Sequence, residues 1–355
     1  MSKIVKHSMQ KKMIAIAALA LVSGAAMAQS NVTIYGSIDL GLLVQNNAGP
    51  AVSSPQLYNG GISPSIWGFR GSEDLGGGLK ANFNLESHYA ADTGAGTASL
   101  FRRQSNVGFS SASMGTLTLG NQYGPAVLAF AATDPRGLRE NFSGLYSWAY
   151  NSGALTTGNN GNNDVGVFLQ NAISYSNTMG PVGLAAAYSV SETKGAVVSL
   201  GATYSGPVAL SVAYQTTNLP TTSEQQSALY SMGAGYTAGA ISGKLNYLRS
   251  TNKNASLVET SNVEVVGLGL DWKLASNNTV ILAAYFGKDK NNTNNKTTSY
   301  ILSDEYALSK RTTLYATAAF VDAGQSANLL TTIVAGGTAA NTNATLFNVG
   351  VKHTF

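Results

Sequence analysis

The sequence predicts an all-β fold, a sixteen-stranded antiparallel barrel that crosses a membrane. Three observations carry this. Apolar residues recur at every second position through most of the chain, the period of a pleated strand. Short glycine-containing turns alternate with long loops. Aromatic residues stand at opposite ends of successive strands.

Residues 1–28 read as a signal peptide: Lys3, Lys6, Lys11 and Lys12 precede the apolar stretch Met13 to Val22, and Ala26-Met27-Ala28 offers a small-residue cleavage site. That stretch is too short to span a bilayer as a helix, which needs about 20 apolar residues. The leader takes four of the 21 basic residues and none of the 17 acidic ones, so the remainder is balanced in charge. The basic character therefore gives no support to nucleic-acid binding, which calls for a clustered basic face. No later segment is long and apolar enough for a spanning helix, and a chain that enters a membrane without one must do so as a closed barrel. Residues 29–355 are expected to form a single such domain.

The first strand shows the pattern. From Asn31 to Val44, Val32, Ile34, Ile38, Leu40, Leu42 and Val44 fall on one face, and Thr33, Tyr35, Ser37 and Asp39 on the other. Strands are expected at 31–44, 65–75, 79–90, 101–111, 115–123, 170–179, 182–190, 195–205, 207–216, 227–238, 240–250, 261–274, 278–287, 298–309, 311–322 and 344–355. Gly76-Gly77-Gly78, Gly180-Pro181, Gly206-Pro207, Ala238-Gly239 and Asn277-Asn278 supply hairpin turns. Between them lie the longer connections 45–64, 91–100, 124–169, 191–194, 217–226, 251–260, 288–297 and 323–343. Strict alternation gathers every short turn at one end and every loop at the other, the layout of an outer-membrane barrel.

Aromatics follow the same polarity. The outward register offers Tyr89, Tyr123, Tyr188, Tyr214, Tyr247, Phe286 and Phe320 at the loop end. At the turn end it offers Phe109, Tyr175, Tyr204, Tyr236, Trp272, Tyr306 and Phe355. Two interfacial girdles are expected of a barrel in lipid. Asp304, between Leu302 and Tyr306, breaks the outward register, and either a bulge or a subunit contact would account for it. Inward positions are polar, as in Lys80, Asn82, Asn84, Glu86 and His88 or Thr116, Thr118 and Gln122. A barrel of this strand number leaves an aqueous channel that such side chains can line.

The residue inventory argues against chemistry. Cysteine is absent, which removes thiol catalysis and thiolate metal sites. Beyond the leader only His88 and His353 remain, without ligand-spaced partners, so neither a metal nor a nucleophile–base pair is expected. Neither an enzyme nor a cofactor is anticipated. The glycines at 76–78 lie in a hairpin and do not precede a helix, so they form no phosphate cradle.

Several segments resemble the trimeric general porins of Gram-negative bacteria, of the neisserial and burkholderial kind. They are Asn31-Val32-Thr33-Ile34-Tyr35-Gly36, the run Trp67 to Ala81 (WGFRGSEDLGGGLKA), Gly115-Thr116-Leu117-Thr118-Leu119-Gly120, and the terminal Val351-Lys352-His353-Thr354-Phe355. The resemblance implies a homotrimer in the outer membrane, in contact with lipid and lipopolysaccharide. It implies a third long loop, here 124–169, folded into each lumen. Phe355 would be the signal read by the outer-membrane assembly machinery. The function implied is passive diffusion of ions and small hydrophilic solutes.

Passive conduction needs a polar constriction whose charges set which ions concentrate there. Parity turns Arg70 inward in the second strand and Arg102 inward in the fourth, while Arg103 is directed outward at the strand's edge. Arg70, Arg102, Arg103 and Lys80 are the wall cations of interest, with Asp134 and Glu140 supplied by the loop, where Arg136 and Arg139 lie between them. Relatives commonly carry Arg where this chain has Ile66 and Phe168. At most weak anion selectivity is expected. An outer-membrane protease or lipase and a substrate-specific channel are the competing functions; saturable conductance would mark the latter.

Overall fold

The computed structural model describes residues 31–47, 55–96, 99–139, 142–144, 166–190, 195–327 and 341–355. Its strands are β1 (Asn31–Gln45), β2 (Gln56–Asn59), β3 (Ile66–Gly76), β4 (Leu79–His88), β5 (Gln104–Ser111), β6 (Gly115–Tyr123), β7 (Phe168–Met179), β8 (Val182–Ser189) and β9 (Val197–Ser205). They continue as β10 (Val208–Asn218), β11 (Gln225–Ala238), β12 (Ile241–Lys253), β13 (Glu259–Ala275), β14 (Asn278–Asp289), β15 (Lys296–Ala307), β16 (Thr312–Ala323) and β17 (Asn343–Thr354). Among the described residues one helix, α1 (Pro125–Ala131), follows β6.

All pairings are antiparallel and, apart from that of β1 with β3, run between sequence neighbours, until β17 returns to pair with β1 from Ser37↔Thr354 to Gln45↔Leu346 and closes the wall. The short β2 pairs with the loop-end half of β1, Leu40↔Asn59 to Leu43↔Gln56, while β3 pairs with the turn-end half, Asn31↔Ser72 to Ser37↔Ile66. The two pieces share one position, so the barrel has sixteen strand positions. The break between them is held by Asp39, whose carboxylate accepts the N–H groups of Gly61 at 3.2 Å, Ile62 at 2.8 Å and Ser63 at 2.8 Å, and the Tyr315 hydroxyl at 2.7 Å.

Period-two sequence becomes a two-faced wall. Ile34 is 65% exposed and Val212 57%, and Leu210, Leu245, Leu268, Leu282, Leu302 and Val349 also stand outward and bare. Their inward neighbours are Ser211, Asn246, Ser303 and Asn348, all buried. In water this distribution would be inverted; in hydrocarbon it is the required one, because lipid rewards apolar side chains outside while backbone polarity is satisfied by the closed ladder. Short turns follow from local chemistry: Gly76, Gly77, Gly78, Gly180 and Gly239 all adopt positive φ, which side chains with a Cβ rarely do.

Two departures from simple alternation matter for the lumen, and one expected departure is absent. Gly120 (φ +119) and Asn171 (φ 51) flank a register shift between β6 and β7. There Tyr123, expected in the outer girdle, instead donates no part to it and packs against the inner cluster, with its ring 4.4 Å from that of Phe168. Arg103 likewise turns inward and not outward. Asp304 sits in unbroken registers with Val280 and Ala316, so no bulge is present, and its carboxylate accepts Asn278 Nδ2 at 3.0 Å on the outer face.

Candidate lumen site and family

The segment after β6 lies against the inner wall. Pro125 at the first helical turn and the apolar run behind it start α1, whose Ala126 N–H donates to Ser199 Oγ at 3.0 Å on β9. Thr133 Oγ1 then meets Ser211 Oγ of β10 at 2.6 Å and accepts Asn246 Nδ2 of β12 at 2.6 Å. Arg136 donates to Ser303 Oγ of β15 at 2.7 Å, and Arg139 Nη2 to Glu305 Oε2 at 2.8 Å. The strands make room for it with glycine: a Cβ on Gly201 would lie 2.4 Å from the Pro125 carbonyl, and one on Gly269 2.7 Å from Pro135 Cα.

Asp134 is the turn's centre. Its carboxylate accepts Arg136 N–H at 3.0 Å, Leu138 N–H at 2.8 Å, Ser143 Oγ at 3.0 Å and Tyr285 OH at 3.3 Å, and it is 0% exposed. Burial pushes its carboxyl above the usual carboxylate range, while these donors pull the other way. Asp134 thus pins the segment to the wall and offers no charge to passing solute. Glu140 lies outside the described residues.

On the facing wall, β1, β3, β4 and β5 build a second charge network. Arg103 Nε donates to Glu86 Oε1 at 2.8 Å, with side chains only 4% and 7% exposed. Its guanidinium also bonds the Tyr123 hydroxyl and lies 4.9 Å from the Phe168 ring centroid. Tyr35 donates to Glu86 Oε2 at 2.9 Å and to Asn84 Oδ1 at 2.7 Å, and carries Arg70 over its ring at 4.9 Å. Arg102 meets His88 Nδ1. Lys80 stands apart at the turn end, exposed, with Asp74 as its register partner. Phe355 closes the ladder, its N–H bonded to the Gly36 carbonyl at 3.1 Å.

The structure thus gathers Arg70 and Arg103 with Glu86, and places Arg102 one inward step further at His88. Lys80 is not part of the group. Parity reasoning missed Tyr123 and Phe168 as supports of Arg103, although Gly120 next to a polar pair was a signal of a local register break. It missed the docking track as well, whose mark was the inward parity of Gly201, Gly233, Gly267 and Gly269. Among the described residues no group of acidic and histidine side chains is arranged to hold a metal.

A closed antiparallel barrel, apolar outside and polar within, with an inner segment and a charged wall, is an outer-membrane channel for passive diffusion. Its residues 15–326 match the family model described as Gram-negative porin. The chain belongs to that family. It is 31% identical to the outer membrane porin protein 32 of Delftia acidovorans over 98% of this chain and all of the relative. The fold superposes on the anion-selective porin from Comamonas acidovorans with a TM-score of 0.78 at 25% identity, covering 92% of this chain and all of that one. It also superposes on the trimer form of OmpT from Vibrio cholerae with a TM-score of 0.66 at 14% identity, covering 92% and 99%.

Proposed function

We propose that this outer-membrane porin is weakly anion-selective, and that the segment after β6 sets the constriction. The observation that carries the reading is the accounting of inward carboxylates. Glu86 is paired with Arg103, Glu305 with Arg139, and Asp271 with Lys244 at 2.9 Å. Asp39 and Asp134 are enclosed by hydroxyl and amide donors. Arg70, by contrast, is exposed within the lumen. Field from such a cation raises the local concentration of anions. The preference is modest because Ile66 and Phe168 bring no charge.

Homotrimeric assembly is in keeping with the OmpT trimer and with a monomer whose outer wall is bare and apolar. Residues 1–28 act as a cleaved leader, and Phe355 marks the chain for assembly into the membrane. Lipid covers the apolar belt, and the outward Arg249, Lys288 and Lys290 at the loop end suit lipopolysaccharide phosphates. The channel works without cofactor, metal or catalysis. Reversal potentials across a KCl gradient in planar bilayers test the selectivity: a small anion-favouring potential is expected, reduced by Arg70→Ala. A cation-favouring potential would overturn it.

A further inference from the structure

Between β1, β3, the end of β17 and the inner segment, the lumen holds a cavity of about 480 Å³. Its lining divides by chemistry. The wall supplies cations, Arg70 from β3, Arg103 beside β5 and Lys352 from β17. The inner segment supplies apolar surface through Leu138, backed by the buried Val127 of α1 and Val167, and Ile66 of the wall continues it. Tyr35 and Tyr123 add aromatic rings.

Chloride has use for the cations alone, because a small hydrated ion gains nothing from apolar walls. An anion with a flat apolar body gains from both halves: its carboxylate meets guanidinium and ammonium, and its ring displaces water from Ile66 and Leu138, which are half-buried. The volume lies within the range of small-molecule sites. Glu86 is occupied by Arg103 and Tyr35, so it leaves the cations of Arg70 and Lys352 to a ligand. The Phe355 oxygen accepts the Gly36 N–H at 3.2 Å at the cavity's edge, and the apolar side around Leu138 offers no cation for a second carboxylate, so a singly charged ligand is favoured over a multiply charged one.

We infer that the lumen carries a binding subsite for aromatic monocarboxylates. It rests on the channel reading above, and it makes the pore selective among organic anions of equal charge.

The purified full-length protein in planar bilayers, bathed in KCl, tests this with sodium benzoate against sodium acetate. Benzoate is expected to block the chloride current saturably, at a half-blocking concentration about tenfold below that of acetate. Arg70→Ala weakens the benzoate block about fivefold or more, and Ile66→Ser brings benzoate towards acetate by removing apolar contact without touching a charge. Equal block by benzoate and acetate in a channel that conducts KCl would overturn the subsite and leave the channel standing. A benzoate block indifferent to both substitutions would also overturn it. Purified protein that passes no KCl current would overturn the channel reading itself.

Discussion

At the scale of single residues, the wall and the inner segment use charge differently. Arg103 and Glu86 form a pair almost without solvent, and such pairs are costly to break because the survivor is left buried and unpaired. Arg103→Ala is expected to destabilise the barrel by about 3 kcal/mol, read as a lower unfolding temperature on heat-modifiability gels, with partial recovery in the double variant carrying Glu86→Gln. Asp134 makes a different prediction. Its carboxyl titrates above its unfolded value, so its contribution to holding the segment is fully present below the unfolded value and is lost as pH rises through the folded one. Voltage-induced closure of the channel should therefore become easier with rising pH across that interval. Asp134→Asn should flatten the dependence; a profile unchanged in the variant would remove Asp134 from the account.

Among elements, the strands were the most legible part of the sequence, because alternation over ten or more residues has one structural meaning and most short turns carried glycine, proline or an asparagine pair. What escaped was set by contacts between distant parts. Gln56 to Asn59 is too short to declare a period, and becomes β2 because β1 offers it an unpaired edge. Pro125 to Ala131 is apolar with a helical start, yet inside a long polar connection its only reason to fold is the wall it meets. Tyr123 was misplaced because parity carried across Gly120 without allowance for its positive φ, and Arg103 because it precedes β5, which begins at Gln104, so strand parity does not reach it. The glycines facing the segment give the test at this scale. A leucine at Gly269 would drive its side chain into Pro135, so Gly269→Leu is expected to dislodge the segment while the barrel still folds. Single-channel conductance should rise and the anion preference fall; an unchanged conductance would show that the segment does not limit the pore.

For the molecule as a whole, the inside–outside inversion governs stability. The apolar belt is stabilised by hydrocarbon, and a cation placed there costs about 2–4 kcal/mol at mid-membrane but far less in the lumen. Val212→Lys on the outer face should therefore lower the urea midpoint of refolding into lipid vesicles, while Thr203→Lys on the inner face of the adjoining strand should leave it nearly unchanged. Similar effects at both positions would contradict the assigned faces. The overall polarity of the barrel could be read in advance because each strand repeats it. The balance of charge in the lumen could not, since whether a carboxylate is open to solute or enclosed depends on partners far along the chain, as Glu86 and Arg103 or Asp134 and Tyr285 show.

The seam between β1 and β17 gives the wall a temporal property. The ladder that makes the cylinder edgeless joins Ser37 to Thr354, so it cannot form until the ribosome has delivered β17. Until then two long unpaired edges exist, each able to recruit a foreign strand. A nascent chain must travel unsealed to its destination, and a nonsense mutation ahead of Asn343 would yield a product that lacks β17 and can never heal its own rim. Such truncations should accumulate as periplasmic degradation substrates, whereas an in-frame deletion of equal size within an outer loop should still be sealed and retained.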